Sequence, residues 1–285
     1  MIERSVRPLQ GAALLALSAL LFSSMGVLIR EASATVNNEN IVFFRNIVGV
    51  FFFMPLVLAK GIRPFKTQRL KSHLMRTSYG LAAMYCFFYA IANLPLADAM
   101  VFTYSAPVFT PIIAYFWLKE PLTKRMLGFS VLGLIGVILV AKPSDAIFGS
   151  LSLVGLAASV LAATAFVSIR EMSNTEPAYR MVFYFALFGS LISAVPLLWA
   201  WQPLNNDQLI LLCSAGLLAA LAQIVMSRAY SLAPPGLIGP VAYLAIIFAG
   251  VFSFVLWDEV PDLTSIFGAV LIFAVSTLAV LWRKH

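Results

Sequence analysis

Charged residues are scarce in this chain. Asp, Glu, Lys and Arg make up 11% of the 285 residues, whereas 61% of the residues are hydrophobic. A soluble globular domain carries about 25% charged residues and about 45–50% apolar ones. A water-soluble core cannot absorb this much apolar surface, but the hydrocarbon of a bilayer can. The composition therefore predicts a protein that is embedded in a membrane.

Cysteine and histidine are equally scarce, and this excludes several classes of site. Cys86 and Cys213 lie inside apolar stretches, so neither a disulfide framework nor a metal-ligand spacing is present. An intramembrane serine protease needs a buried serine–histidine pair, but His73 lies at a loop edge and His285 is the last residue. The acids are scattered at the ends of apolar runs, unlike the clustered ligands of a metalloenzyme or a transferase. We expect no enzyme activity, no metal and no cofactor.

Apolar runs of membrane-spanning length dominate the rest of the chain. A helix rises about 1.5 Å per residue, so crossing about 30 Å of hydrocarbon takes about 20 residues. No run alternates between polar and apolar residues, as the strands of a membrane barrel do. The first run ends without a small-x-small cleavage site, so we interpret it as a span rather than a signal peptide. We predict an all-α polytopic membrane protein with ten transmembrane helices, near residues 11–29, 40–59, 74–94, 97–118, 126–141, 151–169, 179–200, 208–228, 236–257 and 264–282.

Lysine and arginine concentrate in alternate loops. With a cytoplasmic N-terminus, 16 of the 19 basic residues fall in inner segments, only Arg30 and Lys142 fall outside, and Arg45 lies within a span. Such a bias is the positive-inside rule of membrane topology. Both termini are therefore predicted to be cytoplasmic, in a cell (inner) membrane protein. The net charge of +7 follows from this topology and does not indicate a nucleic-acid partner.

Short motifs recur in the two halves at a nearly constant offset. Val27-Leu-Ile-Arg-Glu31 in the first half matches Val167-Ser-Ile-Arg-Glu171 in the second. Leu118-Lys-Glu120 and Trp257-Asp-Glu259 close spans four and nine, and their glutamates have almost the same offset. Five spans per copy is an odd number, so the second copy enters the membrane from the opposite side. We predict two inverted five-helix repeats, the arrangement of many secondary transporters.

The motifs and their order resemble the EamA branch of the drug/metabolite transporter superfamily. The resemblance covers both halves, residues 11–141 and 151–282, as first and second repeats. It implies ten spans, both termini inside, and export or exchange of small metabolites. Its carriers are Phe43-Phe-Arg-Asn46, Tyr89-Ala-Ile-Ala-Asn-Leu-Pro-Leu-Ala-Asp98, Ser105-Ala-Pro-Val-Phe-Thr-Pro111, Leu118-Lys-Glu-Pro121, Gly128-Phe-Ser-Val-Leu-Gly133, Ala229-Tyr-Ser-Leu-Ala233, Trp257-Asp-Glu259 and Gly268.

Polar residues inside the spans are candidates for a substrate cavity or gate, because such residues are costly in lipid. Arg45, in span two, could be a counter-charge for an anionic solute, a gate residue, or a structural arginine that reaches the headgroups. Asp98 could cap span four, gate it or bind a proton. Pro107 interrupts the hydrogen bonding of span four and could either permit bending or form a static kink used only for packing. The remaining candidates are Tyr85, Tyr89, Tyr104, Ser105, Gln223, Arg228 and Tyr243.

These features favour an alternating-access transporter of a small metabolite. The solute could be an amino acid, a nucleoside-like cofactor or a drug-like molecule, and export or exchange is the expected mode. A channel or a lipid scramblase is the alternative class. The expected partners are the solute and the lipid bilayer, and the sequence leaves open a homodimer.

We predict exchange or facilitated movement, because no span centre holds a carboxylate or histidine that could carry a proton. Uptake of radiolabelled solute into proteoliposomes should accelerate when unlabelled solute is present on the trans side. Accumulation driven by a pH gradient alone, and abolished by Asp98→Asn, would contradict this prediction. Flux without saturation or counterflow would instead indicate a channel.

Overall fold

The chain forms a bundle of helices that run back and forth between two faces. The computed structural model describes residues 7–93, 96–144 and 152–281, apart from the side chains of 88 and 91–99. Short 3₁₀ segments occur at Arg63–Phe65 and Gly239–Tyr243, and these described ranges contain no β-strand. The α-helices are α1 (Pro8–Ser33), α2 (Asn38–Phe52), α3 (Met54–Lys60), α4 (Leu70–Asn93), α5 (Leu96–Thr103), α6 (Ala106–Leu118), α7 (Lys124–Ala141), α8 (Ser152–Met172), α9 (Ala178–Ser193), α10 (Leu197–Ala200), α11 (Asn206–Leu232), α12 (Pro235–Ile238), α13 (Leu244–Trp257) and α14 (Leu263–Leu281).

The helices group into the predicted spans. Within the described residues, eight helices or helix pairs are long and apolar enough to cross a membrane, and α9 is a shorter apolar helix. The remaining span is α4, which has 24 residues but a polar first third. The prediction of an all-α, ten-span membrane fold is confirmed. We call the side on which α1 begins the N face, and the side on which α1 ends the opposite face.

Side-chain caps define several helix starts on both faces. Asn37, Thr123 and Asn205 each accept a hydrogen bond from a backbone N–H in the first turn of the following helix. Asn205 and Gln208 complete a reciprocal capping box at the start of α11. Capping satisfies N–H groups that have no partner within the helix. The caps therefore help to fix where α2, α7 and α11 begin.

Equivalent backbone features recur in the two halves and confirm the inverted repeat. Lys119 and Asp258 occupy matching positions and end α6 and α13 in the left-handed conformation, with φ of 58° and 53°. The next residues, Glu120 and Glu259, donate their backbone N–H groups to the carbonyl oxygens of Ala114 and Ser253, at 3.4 and 3.3 Å. Helix packing follows the same relation, because α1 packs along α11 while α8 packs along α4.

Span four is broken between α5 and α6, and the side chain of Ser105 repairs the break. The Ser105 N–H donates to the Phe102 carbonyl at 3.0 Å, so the Val101 carbonyl loses its usual helical partner. Ser105 Oγ donates to the Val101 oxygen instead, at 2.7 Å. Pro107 then lies in the first turn of α6, where a missing N–H costs little. Span nine is interrupted at the matching place by the segment Gly239–Tyr243.

One basic residue, Arg76, lies within a helix rather than in the predicted inner loop. Arg76 was counted with the inner loop before span three, yet its side chain is only 2% exposed. It lies about 9 Å along α4, two turns inside the helix. The inner loops therefore hold one basic residue fewer than predicted, and the bias between loops remains.

Spans five and ten cross at two glycines. A Cβ atom added to Gly268 of α14 would lie 2.6 Å from the carbonyl oxygen of Gly136 on α7. A Cβ atom on Gly136 would in turn lie 3.0 Å from the Gly268 oxygen. Small residues allow such close approach of helices in membranes, so this crossing depends on both glycines.

Gly268→Ala should destabilise the protein by about 1–3 kcal/mol, because the new methyl group must push two backbones apart. The control is Gly250→Ala on α13, where an added Cβ meets nothing within 4 Å. Thermal unfolding in detergent measures both variants. Equal melting temperatures for the two would show that the helices do not need this contact.

Candidate functional site

The two halves meet where α2 crosses α9, at residues that the repeat makes equivalent. A Cβ on Gly49 would lie 3.0 Å from the Cβ of Ala186, and one on Gly189 would lie 2.8 Å from Oδ1 of Asn46. Asn46 and Ala186 are related by the repeat offset, as are Gly49 and Gly189. The pseudo-two-fold axis therefore passes through this crossing.

A small cavity adjoins this crossing. Its free space is about 10 Å³, which is room for about a single water molecule. The walls come from α2, α9 and α11, which belong to spans two, seven and eight. The lining residues are Arg45, Asn46, Gly49, Val182, Phe185, Ala186, Ala219, Ala220 and Gln223.

One guanidinium group, that of Arg45, lines this cavity, and that of Arg76 contacts two of the other lining side chains. Arg45 enters from α2 and donates through Nη1 to the sulfur of Met84, at 3.4 Å. Arg76 enters from α4 and donates through Nη2 to Oε1 of Gln223, at 3.0 Å. The two positive charges are close enough to repel each other. The bundle thus gathers two cations and one amide beside the repeat axis.

The aromatic ring of Phe185 packs against the guanidinium group of Arg76. The guanidinium carbon of Arg76 lies 4.5 Å from the centre of the Phe185 ring. Gly80 makes room for that ring, because a Cβ there would lie 2.8 Å from it. A cation over an aromatic face is attracted by the ring quadrupole, but the attraction is weaker than that of a carboxylate.

On the N face, Arg170 joins the two halves. Its Nε donates to Oε1 of Glu120 at 2.9 Å. Its Nη1 donates to the carbonyl oxygens of Tyr230 and Ser231, at 3.2 and 3.1 Å. The Arg170 side chain is 4% exposed and that of Glu120 is 19% exposed. A buried arginine that is held by a carboxylate and two carbonyls therefore links the ends of α6, α8 and α11 on this face.

Two further acids, Glu176 and Glu171, pair with basic residues on the N face. Glu176 accepts hydrogen bonds from Thr67 Oγ1 at 2.7 Å and from Arg180 Nη1 at 3.0 Å. Burial opposes ionisation of Glu176, but these hydrogen bonds and the neighbouring cation outweigh it, so the pKa of its carboxyl lies below the ordinary value. Arg69 pairs with Glu171 nearby. Loop and helix residues from both halves are therefore linked on the N face.

On the opposite face, the ion pairs are exposed. Arg30 Nη2 lies 2.6 Å from Oε1 of Glu259, with side-chain exposures of 50% and 48%. The Arg30 guanidinium also lies 4.0 Å above the ring of Trp257. Lys142 pairs with Asp262, and its hydrogen bond lowers the pKa of the Asp262 carboxyl to about 2.

The other predicted residues do not meet at the cavity. Tyr243 is fully buried and donates through its hydroxyl to the Ser130 carbonyl at 2.8 Å. Its repeat counterpart, Tyr104, packs in the same apolar cluster. Tyr85 is partly buried, and Tyr89 is 52% exposed. Arg228 is exposed near the N face, whereas the side chain of Asp98 lies outside the described residues. Roles for these residues in transport stay predictions.

Arg76, which contacts the lining residues Phe185 and Gln223, is the residue beside the cavity that the sequence did not single out. It lies within the predicted span 74–94, but it was assigned to the loop because it is near the end of that span. The predicted span begins at residue 74, only two residues before Arg76, so the sequence alone held no signal of its burial.

An all-helical bundle of inverted repeats is the architecture of many multi-pass membrane transporters. The chain belongs to the EamA-like transporter family, whose model matches residues 9–142 and 149–281. Members of this family and the curated relatives are transporters rather than enzymes, as predicted.

Among curated proteins, the chain is 32% identical to the pseudopaline exporter of Pseudomonas aeruginosa, over 92% of this chain and 93% of that protein. It is 30% identical to mouse solute carrier family 35 member G1, over 94% and 77% of the two chains. It is 25% identical to the S-adenosylmethionine uptake transporter of Rickettsia felis, over 94% of each. A crystal structure that is 18% identical, with a TM-score of 0.81 over 96% of this chain and 97% of that one, shares the fold.

Two tyrosine variants separate packing from cavity roles. Tyr243→Phe should destabilise the protein by about 1 kcal/mol and leave transport per folded molecule unchanged, because it removes the hydrogen bond to Ser130. Tyr85→Phe should leave the melting temperature unchanged or raise it, because the Tyr85 hydroxyl is buried without a hydrogen-bond partner in the described structure. Thermal unfolding and solute flux measure both effects. If Tyr85→Phe lowered the melting temperature and Tyr243→Phe did not, the hydroxyl of Tyr85 rather than that of Tyr243 would make the stabilising hydrogen bond.

Proposed function

We propose that this protein exports or exchanges a small metabolite by alternating access. The solute is an amino acid, a nucleoside-like cofactor or a drug-like molecule. Two relatives support this range, because one exports pseudopaline and another takes up S-adenosylmethionine. Opposite directions of transport among similar chains suit a carrier whose direction follows the solute gradients.

Repeat-related ion pairs are the observation that carries this proposal. Arg30 and Arg170 occupy equivalent positions, and so do Glu259 and Glu120. Each arginine pairs with the glutamate of the other half, at 2.6 Å on the opposite face and 2.9 Å on the N face. The same arginine–glutamate pair, which we call a lock, therefore occurs once on each side of the membrane. A carrier with two gates requires one such pair on each side.

The two locks have different surroundings in this structure. The N-face pair is mostly buried, whereas about half of the surface of each side chain in the opposite-face pair is exposed. In an inverted repeat, exchange of conformation between the halves also exchanges these environments. We therefore propose that the second transport state buries Arg30–Glu259 and exposes Arg170–Glu120.

The topology of the proposal follows the loop charges. Both termini and the N face are cytoplasmic, and the protein lies in the cell membrane. The repeats 11–141 and 151–282 move against each other about the crossing of α2 and α9. Binding takes place at the cavity beside that crossing, which has to widen to admit a solute.

Breaking the two locks should change access to the cavity in opposite directions. Ala220, which is 4% exposed and lines the cavity, is replaced by cysteine in a Cys86→Ser, Cys213→Ser background. Glu120→Gln should increase labelling by a membrane-impermeant maleimide from the N face several-fold. Glu259→Gln should increase labelling from the opposite face, because each change weakens one gate.

The control is Asp207→Asn, which removes an exposed acid near the opposite face without disturbing either lock. It should leave labelling from both sides unchanged. Labelling that increases on the same side in both glutamate variants would contradict alternating access, and labelling from both sides at once would favour a channel.

A further inference from the structure

Arg76 is a buried cation without a counter-ion in the described part of the chain. Its side chain is 2% exposed, and its Nε and Nη1 atoms are buried without a hydrogen-bond partner. Burying an uncompensated charge is among the most costly arrangements in a protein. Such an arrangement calls for a ligand or a function that explains it.

Arg45 adds a second positive charge that has no carboxylate partner among the described residues. Its one hydrogen bond goes to a thioether, the sulfur of Met84, which is a weak acceptor. The described acids that form ion pairs do so elsewhere, with Arg30, Arg69, Lys142, Arg170 and Arg180 and with His73. Two arginines that repel each other therefore have an amide, a thioether and an aromatic ring as neighbours, and no carboxylate partner within the described ranges.

We propose that Arg45, Arg76 and Gln223 bind a carboxylate group of the transported solute. This inference rests on the proposed transport function and names the chemical class of its substrate. Arginine matches a carboxylate through paired N–H donors, and Gln223 adds an amide that already orients Arg76. The walls include the apolar side chains of Val182 and Ala219, and such low-dielectric surroundings strengthen the attraction.

The repeat explains why the charge lies on one side of the cavity only. The counterpart of Arg45 at the equivalent position of the second half is Phe185. That ring lines the cavity beside Arg45 and carries the Arg76 guanidinium. One half thus provides cations and the other an aromatic surface, so the carboxylate group binds on the side of α2 and α4.

The free space of the cavity is too small for a bound solute. Space for about one water molecule does not admit a carboxylate together with the rest of a solute. The solute therefore has to separate α2 from α9 and α11 when it binds. Its negative charge offsets the repulsion between the arginines, so carboxylate binding and widening of the cavity stabilise each other.

Thermal unfolding of the purified protein tests the site with defined probes. The probes are succinate, inorganic phosphate and uncharged succinamide, each at the same ionic strength set with sodium chloride. Succinate at about ten times its dissociation constant should raise the melting temperature by about 3 °C, and succinamide should not. Arg45→Gln and Arg76→Gln should abolish the shift, and Arg76→Lys should retain part of it.

The stability of the free variants provides a second readout. Arg76→Gln should keep or raise the melting temperature without ligand, because it removes an uncompensated charge. Arg170→Gln, which removes a buried arginine that has a carboxylate partner, should lower it by several degrees. Equal losses in both variants, with the succinate shift preserved in Arg76→Gln, would overturn the proposal.

The remaining outcomes separate this inference from the transport function. A shift with phosphate but not succinate would overturn the carboxylate assignment in favour of a phosphorylated solute. No shift with any anion, together with opposite labelling changes in the two gate variants, would reject the anion site and leave the carrier intact. A succinate shift that depends on both arginines, without flux or access changes, would support the site and reject transport.

Discussion

The hydrocarbon of a bilayer offers no hydrogen-bond partner, and this constraint governs the whole structure. Every backbone group within a span has to be satisfied by the protein itself, which makes helices the natural element. Where a helix breaks, a side chain has to repair the ladder, as Ser105 Oγ does for the Val101 carbonyl. Where a charge enters, it has to find a partner, and Arg170 finds Glu120 and two carbonyls. Against this background, the unsatisfied atoms of Arg76 stand out.

Inverted duplication places equivalent contacts on the two faces of the protein. A lock that joins the halves on one face has an equivalent on the other face, because each half contributes one arginine and one glutamate. The crossing of α2 and α9 lies between the two locks and brings equivalent residues into contact. In the proposed carrier, a solute bound beside the axis can therefore face either side without leaving its site, and one lock is buried at a time.

The spans and their duplication could be predicted from the sequence because both are local or periodic properties. Hydropathy over about 20 residues is enough to recognise a span, and a nearly constant offset between matching motifs reveals the repeat. Arg45 and Gln223 could be recognised as candidates because each lies within a predicted span. Arg76 lies near a span end, where a charge is ordinary. Its burial depends on the Phe185 ring and on Gly80, which leaves space for that ring, and such packing between distant helices has no signature in a single sequence.

The partners of the ion pairs could not be read from spacing alone for a similar reason. Arg170 and Glu120 are 50 residues apart, and Arg30 and Glu259 are 229 apart. The motifs that contain them were recognised as repeats, but their contact across the halves follows from the three-dimensional inversion. The surroundings of the candidate tyrosines could not be read from the sequence either, because Tyr243 donates to the Ser130 carbonyl of a distant helix. Its role in transport stays a prediction.

The central claim is that two repeat-related gates open in turn. Distances between spin labels test it directly, with one pair at Lys124 and Asn174 on the N face and an equivalent pair at Ala34 and Leu263 on the opposite face; all four positions are exposed. Measured by double electron–electron resonance in proteoliposomes, the two distances should change in opposite directions when transported solute is added. Distances that lengthen together, or that stay single and fixed while solute flows, would contradict the account.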